Sequence, residues 1–219
     1  MINLGDNGGL MATSPGSTGF TPREVRALRA LRDPYGIQRA LDAMPYHHGS
    51  TAWSPRRVLR EGTAHCLEGA VFAAAALRVL GFLPLLLDLE AVQDSDHVIA
   101  VYRVRGHWGA IAKSNFVGLR YREPVHRTVR ELVMSYFEGY VNLRGDRTLR
   151  AFSRPLDLAR FDRVRPGWAT SDSDLWWIAE HLVHVPHTRL LTPAMVRALH
   201  RVDRRSLRAG LVGYRTAAR

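Results

Sequence analysis

The sequence predicts an α+β fold, a cysteine-bearing helix packed on an antiparallel sheet, with extra helices toward the C-terminus. Three observations lead there. An apolar stretch with helical spacing (Leu67, Ala70, Val71, Ala74, Leu77) ends at Gly81, with Phe82 set to fold back on Leu77. Two β-rich runs, 97–104 and 107–114, are separated only by Arg105-Gly106, a two-residue hairpin signal. Helical stripes return after Thr128 and again in the last fifty residues.

In chain order, residues 1–20 are rich in Gly, Ser and Asn and read as a disordered tail. Thr21-Pro22-Arg23-Glu24 is a capping box with proline at the first helical position. Asp33-Pro34 ends that helix, and a second runs from Ile37 to Met44 before Pro45. Tyr46 to Ser50 is a loop with two solvated histidines, and Ser54-Pro55 opens a short basic helix. Thr63 is the expected N-cap of the cysteine helix. Residues 84–92 form a strand buried on both faces, and 116–122 extend the sheet beyond the hairpin. Thr128-Val129-Arg130-Glu131 caps a helix with a stripe out to Tyr140, and residues 149–152 make a further strand. Helices follow over 173–185 and from Thr192-Pro193 to about Ala209. The expected division is a domain over 21–160 and a helical extension over 161–219 packed on it.

Composition narrows the function classes. With hydrophobic residues at 46%, the chain is globular. A single cysteine excludes an intrachain disulfide framework and fits a reducing compartment. No apolar run approaches the roughly 20 residues that span a bilayer. No export signal opens the sequence, so the expectation is a cytoplasmic protein without membrane contact. A net charge of +11 suggests nucleic acid, but Lys113 is the only lysine among 31 basic residues. Arginines scattered in this way, with no interleaved aromatic recognition motif, argue against that partner. Neither a cofactor nor a metal site is expected; His181, His184 and His187 are spaced by three, but Pro186 breaks their register.

A lone cysteine is usually a small buried residue. Cys66, however, lies at the mouth of a helix, where the backbone dipole favours thiolate. The hairpin adds to that. If Arg105 and Gly106 turn it, Val104 faces His107, and counting outward pairs His97 with Ser114. A polar residue there would fix the tautomer of an imidazole that faces the thiol, as nucleophile, base and orienter do in a triad. A bulge would put Lys113 or Asn115 in that place instead.

The segment Gly62-x-x-x-Cys66 with its Ala-rich helix and Leu77-Arg78-Val79-Leu80-Gly81-Phe82 resembles the cysteine helix of transglutaminase-like proteins. Asp96-His97-Val98 and Gly106-His107-Trp108 resemble the family's histidine strand and the strand after it. The resemblance covers about 57–115, roughly a quarter of the chain. It implies the papain-like arrangement and acyl transfer through a thioester, ending in amide hydrolysis, peptide cleavage or crosslinking. It makes Cys66 the nucleophile and His97 the base. The family's aspartate one strand on is missing, and Ala112-Lys113-Ser114-Asn115 stands there, leaving Asn115, or Ser114 more weakly, to orient the ring. Trp53 and Arg60 are candidates for an oxyanion donor. Arg103, Arg105, Arg120, Arg122, Arg127 and Arg130 are either a solvated surface or a preference for acidic peptide substrates. The alternatives are a non-catalytic scaffold of the same fold and an Arg-rich nucleic-acid-binding protein.

Overall fold

The computed structural model describes residues 19–214. The expected disordered tail therefore falls, but for its last two residues, outside the described part. Four helices come first: α1 (Pro22–Arg29), α2 (Pro34–Ala43), α3 (Pro55–Glu61) and α4 (Cys66–Val79). Three of them start where short polar side chains cap proline: Thr21, Asp33 and Ser54 each accept a main-chain N–H from the first turn. Asp33-Pro34 thus opens α2 rather than merely ending α1, which moves that helix three residues upstream of its expected start.

The antiparallel strands are β1 (Leu85–Ala91), β2 (His97–Val104), β3 (His107–Ile111), β4 (Arg122–His126), β5 (Leu149–Ser153), β6 (Leu156–Asp157) and β7 (His187–Arg189). Their order is β4-β3-β2-β1-β5-β7, with β6 also paired to β1. The hairpin has the expected register: Val104 faces His107, and Arg105 and Gly106 both take positive φ, as a type I′ turn requires. The ladder ends at Ala100–Ile111, three residues short of a His97–Ser114 pair. Residues 116–122 differ from the expected strand. They form a short 3-10 turn, Val117–Leu119, and β4 begins only at Arg122.

Alternation along β2 sorts two cores. Val98, Ala100 and Tyr102 face α4, while Ile99 and Val101 face α5 (Val129–Phe137). Buried on all sides, α4 accordingly carries apolar residues right round its circumference. Its close seat on the sheet depends on Gly69, where a Cβ would stand 2.5 Å from the Cβ of Lys113. Gly69→Ala should cost about 2 kcal/mol as an overpacked contact. It should also change the alkylation rate of Cys66, one turn away. Thermal unfolding and a labelling time course would check both.

The C-terminal part packs on the preceding residues and adds a strand to their sheet. Trp168, Leu175, Ile178 and Leu182 join the α4 core, and β7 pairs with β5 as a sheet edge. The last predicted helix is two, α7 (Pro193–Arg197) and α8 (Arg204–Gly210), after α6 (Trp176–His184). Among the described residues no helix is long and apolar enough to cross a membrane.

Candidate active site

At the end of the sheet where α4 begins and β2 starts lies a cavity of about 860 Å³. Cys66, His97, Ser114 and Asn115 all line it. Sequence order alone separates Cys66 from Asn115 by 49 positions, and the packing of α4 across β2 and β1 helps bring them to one opening.

The helix begins at Cys66 itself, with His65 as N-cap in place of Thr63. The Thr63 hydroxyl instead donates to the Pro45 carbonyl (2.9 Å), and the His47 N–H donates to that of Ala64 (3.1 Å). These bonds lay the 45–47 segment alongside the start of α4 and bring Tyr46 to the cysteine. The Tyr46 phenol is half-buried, which pushes its pKa up, and it lies beside Cys66 in the same cavity lining. Tyr46 was not found from the sequence, since an aromatic in a polar loop carries no periodic signal. Neither Trp53 nor Arg60 lines the cavity: Trp53 stacks on His47, and Arg60 is an exposed partner of Glu61 and Asp172.

Burial pushes the Cys66 thiol up. The N–H groups of Val98 and Leu67 oppose that rise, and the Asp88 carboxylate adds to it. The dipole argument for a thiolate at rest is thus outweighed by desolvation. His97, only 5% exposed, is driven down to about 4 by burial, against its bond to the Leu119 carbonyl and with the Arg122 charge adding to the fall. Its Nε2 lies 2.9 Å from the Leu119 oxygen. A carbonyl can only accept, so Nε2 carries the proton and Nδ1 of the neutral ring keeps its lone pair. His97 enters from the α5 face, its ring edge-on to Tyr140, whereas Cys66 enters from the α4 face and takes an N–H from Val98.

The ring is therefore held by a main-chain carbonyl, not by Ser114, whose hydroxyl accepts from the Phe116 N–H (3.0 Å). Lys113 turns away. Its ammonium donates to the carbonyls of Leu41 (2.7 Å) and Met44 at the end of α2, and burial lowers it to about 8. None of the six arginines expected to favour acidic substrates lines the cavity. Arg120 pairs with Asp42, Arg122 lies over the Tyr136 ring, and Arg130 reaches the Leu190 carbonyl.

One polar cluster lies just behind the cysteine. Glu68, fully buried at the third position of α4, accepts from Thr51 Oγ1 (2.5 Å), Trp53 N (3.2 Å), His65 N (3.1 Å) and His47 Nδ1 (3.0 Å). Burial alone would raise its carboxyl; the bonds from Thr51 and His47 outweigh that and hold it low. His47, His65 and Glu68 have the donor set of a zinc site, their ligand atoms within 4.8 Å of one another. Each of those atoms already has a partner in the protein, His65 Nε2 on the Thr51 carbonyl at 2.7 Å included. His47 is half-buried here, not solvated as expected. His181 and His184 bond carbonyls of their own helix, and His187 lies on Asp88, so these three do not converge.

No protein-family model matches the chain, and no curated protein matches it.

Proposed function

We propose that the protein is a cysteine-dependent amide or peptide hydrolase, or an acyl transferase, of transglutaminase-like mechanism. The observation that carries this reading is the opening of Cys66, at the first position of α4, and His97, at the first position of β2, onto one cavity. In the proposed reaction His97 Nδ1 takes the thiol proton as the sulfur attacks the substrate carbonyl carbon. The tetrahedral oxyanion then draws on the Cys66 N–H and the Tyr46 hydroxyl. The imidazolium returns its proton to the departing amine, leaving a thioester. Water or a second amine then resolves the thioester. The Leu119 carbonyl would hold Nε2–H throughout, doing with a dipole what an aspartate does with a full charge.

A second reading, a non-catalytic scaffold, is supported by the resting charges: a raised thiol and a ring lowered to about 4 are both neutral at pH 7. Iodoacetamide labelling separates the two. Under the enzyme reading Cys66 alkylates readily at neutral pH, and His97→Ala slows it about a hundredfold, as loss of a general base does. Raising the pH restores the rate. A Cys66 that stays inert until the chain is unfolded leaves the scaffold.

A further inference from the structure

We propose that the cleft at Cys66 selects substrates that carry a positive charge, a peptide or amide with an arginine, a lysine or a free amine close to the reacting carbonyl. This rests on Cys66 being the nucleophile, and it sets the polarity of the same site opposite to the chain as a whole.

Among the described residues, the charged side chains of fixed sign that line the cavity are Asp94, Asp96 and Arg144. The two aspartates sit on the exposed turn between β1 and β2, immediately before His97. Asp94 accepts from the Ser95 N–H (2.9 Å) and the Thr148 hydroxyl (2.8 Å), and Asp96 accepts from the Ala91 N–H (2.8 Å). All three donors are neutral, so these bonds fix the carboxylates in place without offsetting their charge. Arg144 is different. Its Nε lies 3.0 Å from Asp146 and its Nη2 donates to Gln93 at 2.9 Å, but Asp146 also takes Arg201 Nε at 2.7 Å, so one carboxylate serves two arginines and offsets Arg144 only in part.

The negative field reaches the interior. Tyr140, under the cavity, is pushed up first by burial and then by Asp94 and Asp96. Asp88, behind the cysteine, is raised to about 6 mainly by burial, with the Asp96 charge adding. On a protein of net charge +11, two carboxylates against the single Arg144 leave the described lining with an excess of one negative charge, opposite in sign to the chain. A cation bound there would offset the field, while an anionic substrate would be repelled by it.

Because Cys66 is the only cysteine, the full chain can be modified at one thiol. Two methanethiosulfonates of similar size, one ending in trimethylammonium and one in sulfonate, probe the polarity. With each, the deprotonated sulfur forms the disulfide, methanesulfinate leaves, and the thiol proton passes to buffer. Rates are read by intact mass and divided by those of a small free thiol. The cation-to-anion ratio is expected to reach about tenfold at low salt and to fall toward one at 1 M salt, as steering by fixed charges does. Asp94→Asn with Asp96→Asn should remove it as well. Acetyl-arginine amide should protect Cys66 from iodoacetamide, and acetyl-glutamate amide should not. A ratio at or below one overturns the proposal, as does a ratio that survives the double substitution. No protection by the arginine amide, or no labelling of the folded chain by either reagent, also overturns it. An unlabelled folded thiol is the failure of the catalytic reading and takes the proposal with it, whereas a thiol that labels readily and depends on His97 but shows no charge ratio overturns the proposal alone, so the two failures are told apart.

Discussion

Glu68→Ala is expected to lower folding stability by about 4 kcal/mol, the scale for removing one partner from a buried charged cluster. The carboxylate is the common acceptor for Thr51, His47 and the main-chain N–H groups of Trp53 and His65. The two side chains are half-buried and can turn to water. The two N–H groups cannot, and each is left unmet. Glu68→Gln keeps one acceptor oxygen and should lose about half as much, since roughly half the bonds persist. Urea unfolding of the three proteins at pH 7 gives the comparison. A loss below about 1 kcal/mol for the alanine variant, within the range of a surface change, would mean that Glu68 does not hold the 45–53 segment against α4. Because that segment carries Tyr46, the alanine variant should also change the alkylation rate of Cys66.

Between pH 6.5 and 4, two buried groups near the cleft should tilt stability in opposite directions. His97 stays neutral in the folded protein down to about 4. The unfolded chain binds that proton near 6.5, so acidification through this window favours unfolding, by about 3 kcal/mol in total. Asp88 does the reverse. Its folded carboxyl keeps a proton up to about 6, above the ordinary 3.8 of an aspartate, so on acidification the folded state takes up that proton first. That contributes about 3 kcal/mol of stability in the acid direction. The two nearly cancel in the wild-type protein. His97→Gln should therefore become more stable as pH falls from 6.5 to 4, and Asp88→Asn less stable, each relative to wild type. Denaturant midpoints at half-unit pH intervals read the slopes. Equal slopes in all three proteins would show that neither group is desolvated as the fold implies.

Features that depend on neighbours in the chain were readable in advance. The caps at Thr21, Ser54 and Thr128, the β2–β3 turn and its register, and the Gly81 stop with the Phe82 N–H returned to Leu77 (2.9 Å) all follow from local chemistry. Thr63 was misread as a cap because a threonine three residues before Cys66 fits the pattern. It lost to a tertiary bond with Pro45 and to Glu68, whose reach back to the His65 N–H starts the helix later. The edge strand β7 was missed because His187-Thr188-Arg189 is short and polar and pairs only where β5 leaves an open edge.

The candidate site divides in the same way. Cys66 at a helix mouth and His97 on a strand could be singled out from residue types and spacing, since nucleophile and base chemistry belongs to side chains. The group that holds the imidazole could not, because it is the carbonyl of Leu119, and every residue has a carbonyl. Tyr46 and the acidic rim of Asp94 and Asp96 likewise gained a role only from what packed beside them. By itself the sequence determined an α+β chain with one thiol at the start of a buried helix and a histidine at the start of a strand. Only the tertiary structure decided that the two share a cavity and that desolvation leaves both neutral, because burial and distance are properties of the folded arrangement and not of any residue taken alone.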